Sequence, residues 1–190
     1  MKVSRTLSLA LVTMAATCSI LFAQGDVKHF SKDGLLFDYP AGWTLEDVSN
    51  SDAQTLKFSR ADADIQLTVS AHRGRIAPEK MPDAHKAFID PYVEAVAKQL
   101  TSMGRLERTP DTSEIGGVKA EGVKLKVSVS GDSATSQIYY ALVGQRVVII
   151  TYFGPDNDRK KFASTFDLIR TSVKIEEAPK PTPKASPTPK

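Results

Sequence analysis

The chain has 190 residues, 25 of them basic and 22 acidic, and a formal charge of +3. That length suits one domain, and the small excess of positive charge sits at the two ends, which leaves the stretch between them neutral and excludes nucleic-acid binding by bulk electrostatics. The single cysteine, Cys18, lies in the leader described next; if it leaves with that leader, disulfides, thiol catalysis and Cys-ligated zinc are excluded together.

Lys2 and Arg5 form a positive head, Leu7 to Phe22 is mostly apolar, and Ala23 offers a small residue at the boundary. This pattern predicts a cleaved signal peptide over 1–23 and a periplasmic or secreted protein. The apolar run is shorter than the roughly 20 residues of a membrane span, so the mature chain is expected to have no transmembrane segment. An uncleaved anchor and a lipidated Cys18 fit less well, since Thr17 directly before the cysteine suits a lipobox poorly.

The domain is predicted to occupy 26–175. Leu35 to Tyr39 reads as a strand stopped by Pro40 and Gly42. Thr55 to Arg60, with Leu56 and Phe58 on one face, and Ile65 to Ala71, with Ile65, Leu67, Val69 and Ala71 alternating, read as a hairpin turned at 61–64. Phe88, Tyr92, Val96, Leu100 and Met103 form a helical stripe expected to face inward. Asp90 is the predicted N-cap, Pro91 the first helical residue, and Gly104 a left-handed C-cap. Glu121 to Ser130 places Val123, Leu125, Val127 and Val129 on one face; Gly131-Asp132 turns into Ser136 to Val143. Arg146 to Phe153 follows, and its continuous Val147, Val148, Ile149 and Ile150 predict a central strand buried on both faces. A last helix opens at Pro155-Asp156, with Phe162, Phe166 and Ile169 inward. The residues of 176–190, with five prolines and no large apolar side chain, read as an extended tail. Its lysines make an anionic wall or membrane surface its candidate contact. Short turns favour antiparallel pairing, so the predicted fold is α+β: a twisted antiparallel sheet covered by helices.

Catalytic and metal motifs are absent from the pattern. His29, His72 and His85 have no partner at i+2, i+3 or i+4, and no Gly-x-Ser-x-Gly or Gly-rich phosphate loop occurs. Asp156-Asn157-Asp158 resembles the opening of a calcium loop, but Lys161 and Asp167 stand where Gly and Glu are needed, so helix capping explains it better. No cofactor is expected. Two weak candidates for a partner or anion contact remain. One is Trp43 beside the Pro40–Gly42 turn, whose packing role is the favoured reading. The other is the loop of His72, Arg73 and Arg75.

The segment Gly34-Leu-Leu-Phe-Asp-Tyr-Pro-Ala-Gly-Trp43 resembles the PsbP-like superfamily, as do the β-branched strand Val147 to Phe153, the helix Phe162 to Ile169 and the ending Ser172-Val-Lys-Ile175. The group includes the extrinsic photosystem protein, exported bacterial lipoproteins of the DcrB type and a nuclear import factor that binds Ran. The resemblance implies an α/β/α sandwich and a non-catalytic role assisting other proteins, here an accessory or interaction domain whose partner is another envelope protein. The alternative is a small-ligand carrier with a pocket between helix and sheet.

Overall fold

Val147 to Ile150 lie in β9 (Arg146–Pro155), the middle strand of a seven-stranded sheet in a computed structural model that describes residues 26–129 and 131–176. The expected leader over 1–23 with Cys18, and the tail beyond Glu176, lie outside the described residues. Among the remaining strands of this sheet, β3 (Thr44–Asp47), β4 (Ala53–Arg60) and β5 (Ala63–His72) lie on one side of β9. On the other side are β8 (Asp132–Val143), β7 (Val118–Val129) and β6 (Arg105–Ile115), giving the order β3-β4-β5-β9-β8-β7-β6 with every pair antiparallel. A second sheet joins β1 (Val27–Lys32), β2 (Leu35–Pro40) and β10 (Lys174–Ile175), with β2 in the middle.

Both faces of β9 are covered, because its side chains alternate between two cores. Val148, Ile150 and Tyr152 join Leu35, Phe37, Trp43, Leu56, Phe58 and Leu67 beneath the small sheet, with α3 (Asp156–Lys161) and α4 (Ala163–Ser172) at its side. Val147, Ile149 and Phe153 face the opposite way, toward α1 (Met81–Ala84) and α2 (Asp90–Thr101). The result is the α+β arrangement of an antiparallel sheet covered on both faces, a PsbP-like fold. Among the described residues no helix is long and apolar enough to cross a membrane.

Several expectations need correction. Three strands, β1, β3 and β6, carry no alternating apolar signal: β6 has no large apolar side chain between Leu106 and Ile115 and tolerates Pro110 because it is the sheet edge. In the helix, Leu100 of the predicted stripe is buried and Tyr92 and Val96 pack partly buried against the core, but Ile89, Val93 and Ala97 lie deeper, and Phe88 and Met103 are exposed. The shift begins at a single π turn over His85–Ile89, where the Asp90 N–H reaches the His85 carbonyl five residues back. Pro91 has no amide to continue an α ladder, and the wide turn takes up that interruption. Asp90 is therefore inside a continuous helical run rather than at its cap. At the far end, Ser102 N–H bonds the Lys98 carbonyl and Met103 N–H the Leu100 carbonyl, so the helix closes on itself without a left-handed Gly104. Gly116 and Gly117 take φ of +55° and +80° in the β6–β7 turn, a conformation that suits glycine.

Asp156 is also not a cap. Its carboxylate accepts Ser133 Oγ at 2.9 Å and Thr135 Oγ1 at 2.6 Å from β8. Burial works to raise its pKa, but these hydrogen bonds, with Lys126 and Arg159 nearby, hold it below the ordinary value.

Candidate functional site

The π turn sets up a cluster that sequence spacing hides. Residues five apart on an α-helix point about 140° away from each other, but the wide turn brings His85 and Asp90 together, Nδ1 to Oδ1, at 3.1 Å. The other ring nitrogen, Nε2, is 2.8 Å from the hydroxyl of Tyr140 on β8, and the two rings meet edge to face with centroids 5.0 Å apart. Tyr140 in turn donates to Glu121 Oε2 on β7 at 3.3 Å. The cross-strand register places Glu121 directly opposite Tyr140.

This array sits in a trough between the helical layer and the sheet. One part has a volume of about 600 Å³, with Pro78, Met81, Pro82, Val118 and Leu142 among its walls. A second part of about 380 Å³ extends past Ile89 and Val93 to Arg108 and Pro110. His85, Asp90 and Tyr140 line both, so the two run into one another. An ion pair between Arg108 and Glu94 bridges β6 and α2 over the second part. Gly122 belongs to this floor: a Cβ there would stand 2.5 Å from both the Ile138 carbonyl and the Tyr139 ring, so only glycine fits.

Burial, then the charge and hydrogen bond of Glu121, pushes Tyr140 up to about 12. Its hydroxyl is therefore a proton donor at neutral pH, the opposite of an activated phenolate. Among the described residues no group of three or more His, Cys, Asp or Glu side chains could hold a metal ion.

The residues singled out by sequence lie elsewhere. Trp43 is 4% exposed, packs edge to face on Phe162 at 5.5 Å and carries the Arg60 guanidinium over its ring. His72 stacks on Phe88 with centroids 4.4 Å apart, and its Nδ1 accepts the Gly74 N–H at 3.1 Å. Arg73 donates to the Asn50 carbonyl and to Asp33. Arg75 is exposed in the same loop. Two members of this loop are thus bonded to the domain's own groups, closing the loop onto neighbouring turns. His85 and Tyr140 are 55 positions apart, and the signal that joins them, a proline one turn into a helix, is readable only once a π turn is known to precede it.

No protein-family model and no curated protein matches the chain. Among solved structures it is similar to the solution structure of cyanobacterial PsbP (CyanoP) from Synechocystis sp. PCC 6803. The likeness has 16% identity and a TM-score of 0.50, and covers 85% of this chain and 99% of that one. It is also similar to a crystal structure from Bacteroides thetaiotaomicron VPI-5482, with 15% identity and a TM-score of 0.51, covering 81% of this chain and 49% of the other. The likeness to both is one of fold.

Proposed function

We propose that the chain is an exported, non-catalytic accessory domain that holds an extended segment of a partner protein in the trough between its helical layer and its sheet. The observation behind this reading is the trough's form: it is open along its length, with an apolar end at Pro78, Met81, Val118 and Leu142 and hydrogen-bonding groups at His85, Tyr140 and Glu121. An apolar side chain of the segment fits the first part, and its backbone amides and carbonyls meet the second. A small ligand carried between helix and sheet would use the same walls; the opening along the trough favours a longer occupant.

The test is a photo-crosslinking residue placed at Val118, 36% exposed on the trough wall, and for comparison at Glu46 on the distant edge strand β3. A protein adduct formed in the producing cell from Val118 and not from Glu46 is expected. The crosslinked segment, made as a peptide, then binds the purified domain. Equal adducts from both positions, or a peptide that does not bind, rule the reading out.

A further inference from the structure

The other face of the sheet holds a smaller chamber that the trough does not reach. It lies beneath α3 and α4, has a volume of about 190 Å³ and is lined by Tyr152, Arg159 and Arg170 together with Gln137, Tyr139 and Phe166. Tyr152 is 1% exposed, yet among the described residues its hydroxyl has no hydrogen-bond partner. The Nε atoms of Arg159 and Arg170 are likewise buried and without a hydrogen bond among the described residues. Three donors left unmade around one cavity are costly, since each buried polar group without a partner loses about 1–3 kcal/mol.

The donors' own neighbours do not satisfy them. Arg170 uses Nη1 on the Glu114 carbonyl and Nη2 on Asp167 at 3.0 Å, which leaves its Nε edge open. Arg159 Nε stands 4.0 Å from Asp156 Oδ1, too far for a hydrogen bond. Tyr139 donates its proton to Asp111 at 2.7 Å and accepts from Gln137 at 2.8 Å. Asp167 is a lining carboxylate, and it is already held by Arg170. What the chamber has to spare is therefore three N–H and O–H donors, two of them on cations. Burial keeps Tyr152 protonated by raising its pKa.

We propose that this chamber binds a small oxyanion, the group common to inorganic phosphate and short carboxylates, between Arg159, Arg170 and the Tyr152 hydroxyl. Guanidinium forks match such oxygens, and a phenol adds a third donor. The volume excludes nucleotides and lipids but exceeds the roughly 30 Å³ share of a single water. Phe166 and Ala163 line the chamber too and offer a water cluster no hydrogen bonds.

The experiment follows the arginine Nε–H signals of the purified protein by NMR. Sodium phosphate is titrated in one arm, sodium acetate in a second and sodium chloride in a third, at constant ionic strength. Saturable shifts of two Nε–H signals in one or both oxyanion arms are expected, with chloride giving none. Which arm saturates at lower concentration identifies the source. Arg159→Gln should weaken binding at least tenfold and Tyr152→Phe about threefold to tenfold. Arg170 also anchors the Glu114 carbonyl, so it is left intact. Shifts that stay linear in all arms, or binding unchanged in both variants, overturn the proposal. Either result leaves the crosslink from Val118 untouched, because the trough is on the opposite face.

Discussion

On one face of the seven-stranded sheet, Phe37, Phe58, Tyr152 and Trp43 interlock with no more than 4% of any of them exposed. On the other, Val93, Ala97 and Leu100 of α2 meet aliphatic side chains of β7 and β9, and between α1, the π turn and β7–β8 the trough stays open. Large aromatic side chains bury the most apolar area per residue and pack in specific edge-to-face contacts, so the first face carries more of the stability. The second face keeps an open trough, the proposed binding site. Substitutions on the two faces should therefore separate folding from contact.

The largest effect is expected from Trp43→Ala. The ring packs on Phe162 and under Arg60, and its loss should cost about 3–5 kcal/mol, as for other buried large aromatics. Denaturant melts measure this. A change within about 0.5 kcal/mol, the range of surface substitutions, would break the comparison of faces.

Arg146→Met comes next. Arg146 is 7% exposed at the start of β9, with four hydrogen bonds: to the His72 and Asp33 carbonyls, Gln54 Oε1 and the Ala71 carbonyl. Gln54 also donates to the Lys32 carbonyl, so this guanidinium ties the small sheet's β1–β2 turn to the large sheet. Removing it strands several buried acceptors, and a loss of roughly 2–4 kcal/mol is expected. A variant as stable as the parent would show that the charge is dispensable to the joint.

Why Trp43 and β9 were legible while Arg146 and Tyr140 were not follows from the kind of signal each leaves. Burial on a strand is written as local alternation or a continuous β-branched run, so Val147 to Ile150 announced a central strand. The α+β class followed from short turns and the order of elements. The helix stripe differs at its two ends, Phe88 and Met103, and its deepest positions fall one residue on, at Ile89, Val93 and Ala97; the π turn at His85–Ile89 leaves no trace in the periodicity of the residues that follow it. Edge strands β1 and β6 have little to bury, hence no pattern. The trough joins residues from the π turn, β7 and β8, and such a juxtaposition exists only after pairing fixes the register.

Asp156 gives a smaller, pH-dependent effect. Its folded-state pKa lies below the ordinary 3.8, so its stabilising contribution is fully present above about pH 4 and disappears as pH falls below that value. Asp156→Ala should cost about 1–2 kcal/mol at neutral pH, because Thr135, 1% exposed, loses its acceptor. The loss should shrink as pH falls below the ordinary carboxylate value and the parent's carboxyl takes up its proton, since only the part that depends on its charge is then gone from both proteins. A difference that persists undiminished at pH 2 would show that the carboxylate's charge is not the cause. Asp111, likewise held below its ordinary value, is unchanged in both proteins and cancels from the difference.

Tyr140→Phe should move stability least and binding most. The ring stays on His85 and in the trough wall, so apolar packing is kept. What goes is one hydroxyl, which His85 Nε2 and Glu121 Oε2 both face. Glu121 is exposed and takes water in its place, and His85 reaches solvent along the trough, so neither is stranded. The melt should therefore shift by no more than about 0.5 kcal/mol. Binding of the crosslinked segment should weaken about tenfold, the effect of losing one hydrogen bond that the Tyr140 oxygen accepts from a backbone N–H of the segment in a site drier than bulk water. If instead the melt falls by about 2 kcal/mol while affinity holds, the His85–Tyr140 pair serves to fix the π turn against the sheet. The second face would then be built for stability as the first one is, and the trough would be a by-product of the wide turn.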